Sequence, residues 1–299
     1  MRFSYDNLGL PLHRRRLVIG AAAVFAAPAF PSFSAPTAFE AQIAAIEARV
    51  GGRIGVAALD TGSGRRLHYR ADERFAMCST FKLMLAAMVL EQVEKGPLRL
   101  SQRVAYGPAD LQSYGPVTKA HVADGGMSLG DLCAAAVEVS DNTAANLLLK
   151  LIGGPAGYTA RLRKLGDETT RLDRNEPTLN TNLPRDPRDT STPGAMVDTL
   201  RKALLGHMLS AGGMIRLIGW MKAGTTGLGR LRAGLPSGWT AGDKTGTGDN
   251  GAVNDLAMAW PPHRAPILIV AYMSGSTQST DALSAAHKQI GGLVAQAFR

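Results

Sequence analysis

Ser79-Thr80-Phe81-Lys82-Leu83-Met84-Leu85-Ala86-Ala87-Met88-Val89-Leu90 opens the long middle of this chain. Its apolar run reads as a buried helix, and a spacing of three puts Ser79 and Lys82 on one face of it. A lysine so placed can share or accept the hydroxyl proton of a serine, which is a weak nucleophile without help. By itself Ser-x-x-Lys is a weak signal, and its ordinary reading is an N-capping serine with a solvated lysine. The flanking elements say what fold the run belongs to. Upstream, residues 37–50 carry Phe39, Ile43, Ile46 and Val50 on one helical stripe. Arg53 to Leu59 is strand-like, Thr61-Gly62-Ser63-Gly64 is a turn, and Arg65 to Arg70 returns as a strand. Downstream, helical patterning runs to about Met221, broken by Gly/Pro loops around 107–117, 153–157 and 173–193. After Trp239 strands return at Lys244-Thr245-Gly246, Val253 to Trp260 and Pro266 to Met273, and a helix over about 281–298 closes the chain. Strands at both ends with helices between predict an α+β fold. The ends build one five-stranded antiparallel sheet flanked by helices (about 37–76 and 222–299), and the middle (about 77–221) is an inserted all-helical lobe. A site is expected in the cleft between them.

The 299 residues are 45% hydrophobic and 19% charged, enough for a substantial core. Residues 1–29 are expected to be an export signal rather than fold. Arg14-Arg15-Arg16 precedes an apolar run from Leu17 to Ala27 that is short of the roughly 20 residues a span needs. Adjacent arginines followed by Leu17 and Val18 look like a twin-arginine signal, which implies the twin-arginine export machinery as a partner and a periplasmic destination. Ala27-Pro28-Ala29 is the best cleavage site, and no cysteine follows the run to carry a lipid, so no membrane anchor is expected. The leader carries four arginines and one aspartate, so its removal lowers the net charge from +9 to about +6. The remaining basic residues are scattered without aromatic interleaving, which argues against nucleic acid. Two cysteines and six dispersed histidines offer no metal-ligand cluster, and no cofactor is expected.

Three further motifs fall at the expected boundary between the lobes. They are Ser140-Asp141-Asn142, Glu176-Pro177-Thr178-Leu179-Asn180 and Lys244-Thr245-Gly246. Each alone is common. Together and in this order, with Ser79-x-x-Lys82 and the stretch Arg171-Leu172-Asp173-Arg174-Asn175-Glu176-Pro177, they resemble the class A serine β-lactamases, over roughly residues 39–299. The leader makes the likeness strongest to exported chromosomal members.

The resemblance implies a β-lactamase/DD-peptidase-like fold that is monomeric and hydrolyses penicillins and cephalosporins. Ser79 would attack the β-lactam carbonyl, with the oxyanion held by the backbone N–H groups of Ser79 and Thr247. Ser140 would pass a proton to the leaving nitrogen, Asn142 would donate to the substrate's side-chain amide, and Lys244, Thr245 and Gly246 would face its carboxylate. Glu176, with Asn180 beside it, would activate the deacylating water. Either Lys82, its pKa lowered by Lys244, or Glu176 could be the acylation base. The resemblance also suggests a cis Glu176-Pro177 bond and an Arg174–Asp189 pair tying the loop ends. Many members carry an arginine on the strand after Lys-Thr-Gly. Here that slot holds Val253, and Arg230 is either the substitute or an ordinary surface arginine. Tyr114 either lines the cleft mouth or is a packing tyrosine. Cys78 and Cys133 match halves of two different family disulfides whose partner positions hold Gly248 and Ala86, so two free, buried thiols are expected.

Two other functions fit parts of the pattern. A D-alanyl-D-alanine peptidase or related penicillin-binding protein shares the serine, lysine and Lys-Thr-Gly elements but lacks a deacylating Glu/Asn pair. A non-turnover β-lactam sensor would acylate and stop.

Overall fold

A computed structural model describes residues 37–299, and the expected leader over residues 1–29 lies outside them. Helix α1 (Ala38–Val50) starts where Thr37 accepts from Glu40 N and Glu40 accepts from Thr37 N, a reciprocal cap that satisfies two otherwise orphaned donors. It buries Phe39, Ile43, Ile46 and Val50, the stripe read from the sequence. Strands β1 (Arg53–Asp60) and β2 (Arg66–Tyr69) follow as a hairpin. The short β3 (Phe75–Ala76) leads into a 3-10 turn over Cys78–Thr80, and α2 (Phe81–Glu94) continues from it. From Phe81 to Leu90 every residue of α2 is buried, because this helix is surrounded on all sides and has no solvent face.

Around α2 pack α3 (Pro116–Ala120), α4 (Leu129–Glu138), α5 (Asn142–Leu151), α6 (Gly154–Lys164), α7 (Pro193–Leu205) and α8 (Ala211–Ala223). Two small ladders brace them, β4 (Arg103–Ala105) with β5 (Gly126–Ser128) and β3 with β6 (Thr190–Ser191). The break expected at 153–157 is narrower than the sequence suggests. Gly153 takes a left-handed φ of 91° to end one helix, and Gly154-Pro155 already forms the first turn of α6, where a proline loses no hydrogen bond. The break around 107–117 likewise ends early, at the start of α3.

The chain then returns to the sheet through β7 (Thr240–Thr247), β8 (Val253–Trp260) and β9 (Ile267–Ser274), and closes with α9 (Thr280–Ala297). The sheet is antiparallel in the order β2-β1-β9-β8-β7, so β9 from one chain end pairs with β1 from the other, Arg53 opposite Ser274 through Asp60 opposite Ile267. Its two faces serve two cores. Along β9, Ile267, Ile269, Ala271 and Met273 pack toward α1 and α9, whereas Leu268, Val270 and Tyr272 join the core around α2. The helical middle is thereby seated on one face of the sheet, with α2 at its centre and the edge strand β7 beside the start of α2.

Candidate active site

The edge strand and the turn that carries Ser79 are in direct contact. A side chain on Gly246 would come within 2.7 Å of Met77 O and 3.1 Å of Ser79 N, so only glycine lets β7 approach this closely. Asn254 of β8 reinforces the seam by donating to Ala76 O and Met77 O. Cys78, just before Ser79, is held at a φ of 47°. Such a conformation is uncommon for a residue with a side chain and is sustained by its surroundings.

Ser79 Oγ donates to Glu176 Oε1 at 3.0 Å. Lys82 Nζ lies 2.9 Å from the same carboxylate oxygen, and both side chains of that pair are fully buried. Lys82 also donates to Ser140 O at 2.8 Å, Asn142 Oδ1 at 2.5 Å and more weakly Ser140 Oγ at 3.3 Å. An ammonium has three protons, so these acceptors occupy it. Burial pushes the Lys82 amine down, and the Glu176 charge partly restores it. For Glu176, burial pushes up, but the Lys82 charge and hydrogen bonds from Lys82, Asn180 and Ser79 more than offset it and hold the carboxyl below its ordinary range. The sequence expectation that Lys244 lowers Lys82 takes a different form here. Burial acts on Lys82, while Lys244 is itself driven well down, first by burial and then by the Lys82 charge.

Ser140, at a φ of 62°, sets its Oγ between the two amines, 3.3 Å from Lys82 Nζ and 3.0 Å from Lys244 Nζ. Asp141 caps α5 by accepting from Ala144 N, and also accepts from Val117 N, Thr118 N and Thr118 Oγ1. That capping aspartate, unassigned from the sequence, fastens the Tyr114–Pro116 turn to Ser140 and Asn142, and Asn142 N donates to Tyr114 O. The Asn142 carbonyl is taken by Lys82, which leaves its amide N–H₂ as the donor for the cleft.

The loop after α6 brings in Glu176. Asn146, one helical turn beyond Asn142 on α5, donates to Glu176 O at 2.9 Å and accepts from Glu176 N at 3.0 Å. No sequence motif singles it out, and its i+4 spacing from Asn142 is the one local signal that could. The Glu176-Pro177 bond is cis. Asn180 Nδ2 donates to Glu176 Oε2 at 2.5 Å, and its Oδ1 is a buried acceptor with no protein partner. At the loop's base, Asp189 Oδ2 meets Arg174 Nε at 2.5 Å, and Oδ1 accepts from Asp173 N and Arg174 N.

The far wall of the cleft is β7. Thr245 shares a 2.6 Å hydrogen bond with Thr226, another residue the motifs did not single out. Arg230 is only 6% exposed. It donates to Gly246 O, Asn254 O and Thr247 Oγ1, so it is a built-in cation behind the strand and not a surface arginine. Val253 packs into the core with α1 and α9 and cannot face the cleft. The cleft holds about 330 Å³, with Ser79, Ser140, Asn142 and Asn180 on one side and Thr245, Gly246 and Thr247 on the other. Tyr114 stands at its mouth, 49% exposed, which is a lining position and not a packed one. Lys82, Glu176 and Lys244 lie behind this lining. Cys78 and Cys133 are free and buried. A side chain on Gly248 would meet Cys78 Sγ at 2.7 Å.

A family model described as the beta-lactamase enzyme family matches residues 38–298. The beta-lactamase CTX-M-8 of Citrobacter amalonaticus is 48% identical over 262 residues, covering 86% of this chain and 90% of that protein. The beta-lactamase Toho-1 of Escherichia coli is 50% identical over 251 residues, covering 83% of this chain and 86% of that one. Among solved structures, an ancestral class A beta-lactamase superposes with a TM-score of 0.85 at 55% identity, covering 87% of this chain and all of the other. A putative class A beta-lactamase from Rhodopseudomonas palustris superposes with the same score at 51% identity, again over 87% of this chain.

Proposed function

The chain belongs to the beta-lactamase enzyme family, and from that premise we propose that Ser79 is the nucleophile and Glu176 the general base of its cleft. The protein is a class A serine β-lactamase that hydrolyses the β-lactam amide bond and thereby confers antibiotic resistance. The observation that carries the residue roles is the buried cluster in which one Glu176 carboxylate touches Ser79 Oγ, Lys82 Nζ and Asn180 Nδ2.

In the resting arrangement Lys82 is a donor to all its neighbours, so the acceptor available to the Ser79 proton is Glu176. Ser79 Oγ attacks the β-lactam carbonyl carbon as that proton moves to Glu176. The backbone N–H groups of Ser79 and Thr247 hold the oxyanion, where losing one such donor costs about 100- to 1,000-fold in rate. The C–N bond then breaks, and the nitrogen takes a proton through Ser140, which Lys82 resupplies. Lys244, Thr245, Gly246 and Thr247, with the Arg230 charge behind them, receive the substrate carboxylate. Asn142 orients the side-chain amide, and Tyr114 closes the mouth. Glu176 passes the proton it took from Ser79 to the Lys82 amine 2.9 Å away, which restores both charges. A water donating to Asn180 Oδ1 and Glu176 then attacks the acyl carbon, and Glu176 takes its proton and hands it to Ser79 Oγ as the ester bond breaks.

Turnover of a chromogenic cephalosporin tests this reading. Many turnovers per enzyme are expected. A single stoichiometric burst would instead indicate a penicillin-binding protein or a sensor. Glu176→Ala is expected to leave an acylated Ser79 that mass spectrometry detects.

Residues 1–29 act as a twin-arginine export signal, which delivers a monomeric enzyme of residues 30–299 to the periplasm. Among the described residues no helix is long and apolar enough to cross a membrane. Replacing Arg14, Arg15 and Arg16 by lysine is expected to leave activity in the cytoplasm. The working unit is a sheet lobe (about 37–76 and 222–299) and a helical lobe (about 77–221) joined at the cleft.

A further inference from the structure

Behind the loop that carries Glu176, away from the cleft, lies a cavity of about 170 Å³ lined by five arginines and one aspartate. It is smaller than the roughly 300–1,000 Å³ of pockets for drug-sized ligands, which suits an ion or a very small molecule. Three of the five guanidinium groups have carboxylate partners. Arg174 is held by Asp189 at 2.5 Å, Arg188 by Asp186 at 2.8 Å, and Arg53 by Glu73 at 2.6 Å. The single acidic lining residue is thus already occupied by Arg188, with Arg174 at 4.0 Å on its other side.

Two arginines remain uncompensated. Arg74 donates only through Nη1, to Thr169 O and Thr190 Oγ1, so its Nη2 and Nε have no partner among the described residues. Arg185 makes no hydrogen bond or ion pair with the described residues. Arg74 belongs to the frame at the start of β3, whereas Arg185 belongs to the second half of the loop. Arg53, oriented by Glu73, Arg74 O and the face of the Phe75 ring at 4.7 Å, adds positive charge to the same lining. Like charges converging on a small concavity raise the local potential for anions. Guanidinium forks match tetrahedral oxyanions by paired N–H···O bonds, better than an ammonium does.

We propose that this cavity binds a small polyvalent oxyanion of the phosphate class, bridging Arg74 and Arg185. Occupancy fastens residues 182–188 to the frame and so braces the loop from the side opposite the reacting carboxylate. The site is separate from the β-lactam cleft and uses none of its residues.

The test uses mature protein freed of phosphate and sulfate, with chloride holding ionic strength constant. Pyrophosphate is the main probe. Inorganic phosphate and glycerol 3-phosphate in parallel distinguish free phosphate from a phosphate monoester as the preferred form. The expected result is a saturable rise in Tm of about 2–4 °C, one ion per protein by calorimetry, and slower amide exchange over residues 182–188. Arg74→Gln with Arg185→Gln should abolish all three while leaving turnover unchanged without the ion. Arg185→Gln alone, which removes no protein contact, should weaken binding by about tenfold or more, the loss of one charge-assisted pair. A Tm rise that does not saturate, or that persists in the double variant, would overturn the proposal, as would no rise with any probe.

Discussion

The loop between α6 and β6 is held by two buried ion pairs that look alike and do different work. At its base, Asp189 meets Arg174. Near its tip, Glu176 meets Lys82. In the first pair the carboxylate is filled by fixed donors, two backbone N–H groups and a guanidinium that does not give up its proton. In the second it faces an ammonium, an amide and a hydroxyl, and the hydroxyl belongs to Ser79, the proposed nucleophile. A buried carboxylate with saturated, inert donors is a fastener. One whose donors include a group that reacts is a base. Both carboxylates are fully buried, so carboxylate burial does not separate them.

Variants that remove one pair without the other probe this contrast. Glu176→Ala should have the largest effect, a fall in turnover of about 100- to 10,000-fold, with acyl-enzyme accumulating because Lys82, freed of its carboxylate partner, can still take the Ser79 proton whereas the deacylating water has no other base. Steady-state kinetics with intact-mass detection checks this, and a wild-type turnover number would erase the distinction between base and fastener. Asp189→Asn strands the Arg174 charge, a change that costs about 3–5 kcal/mol in fully buried pairs and less here because Arg174 is 18% exposed. Its expected signature is fast amide exchange over 172–190 with deacylation slowed and acylation less affected. Unchanged exchange and kinetics would show that the tie is dispensable.

Asn146→Ala removes both hydrogen bonds to the Glu176 backbone and should cost about 1–3 kcal/mol, split between stability and deacylation. Urea melts and pre-steady-state kinetics measure the split.

The smallest effect is a pH shift. Glu176 is held below its ordinary range, so activity should persist as pH falls through 4.5 and be lost only below it. The same depression contributes stability that is present above the unfolded carboxylate range and disappears as pH falls through the folded value. Asn180→Ala deletes one of the interactions holding it down, so the acid limb should move up by roughly one pH unit or less. Asp189→Asn should leave that limb in place, and an equal shift in both would merge the two sites into one electrostatic unit.

The two pairs also differ in legibility. The Arg174–Asp189 pair is implied by the family resemblance, whereas contact between Lys82 and Glu176 is not a sequence expectation, and neither spacing, 15 residues for the first nor 94 for the second, obeys a local rule. By contrast, α1 with its stripe, the β1–β2 hairpin, the apolar strand β9 and the apolar run of α2 follow from local pattern and turn residues, and each formed within a residue or two of where that pattern put it. The misread break at 153–157 shows the limit of such reading, because Gly-Pro begins a helix as readily as it ends one.

The sequence by itself determined the elements, the order of the motifs and the kinds of reacting group, because side-chain periodicity and chemistry are properties of the chain. Only the tertiary structure decided which groups meet. It turned Val253 into the core and buried Arg230 behind β7. It gave Asn146 the Glu176 backbone and set the Ser79 hydroxyl against Glu176 Oε1. Those outcomes depend on the packing of β7 and the α6–β6 loop against the start of α2, where strand facing, close glycine approach and loss of solvent set distances and charge states that no local pattern encodes.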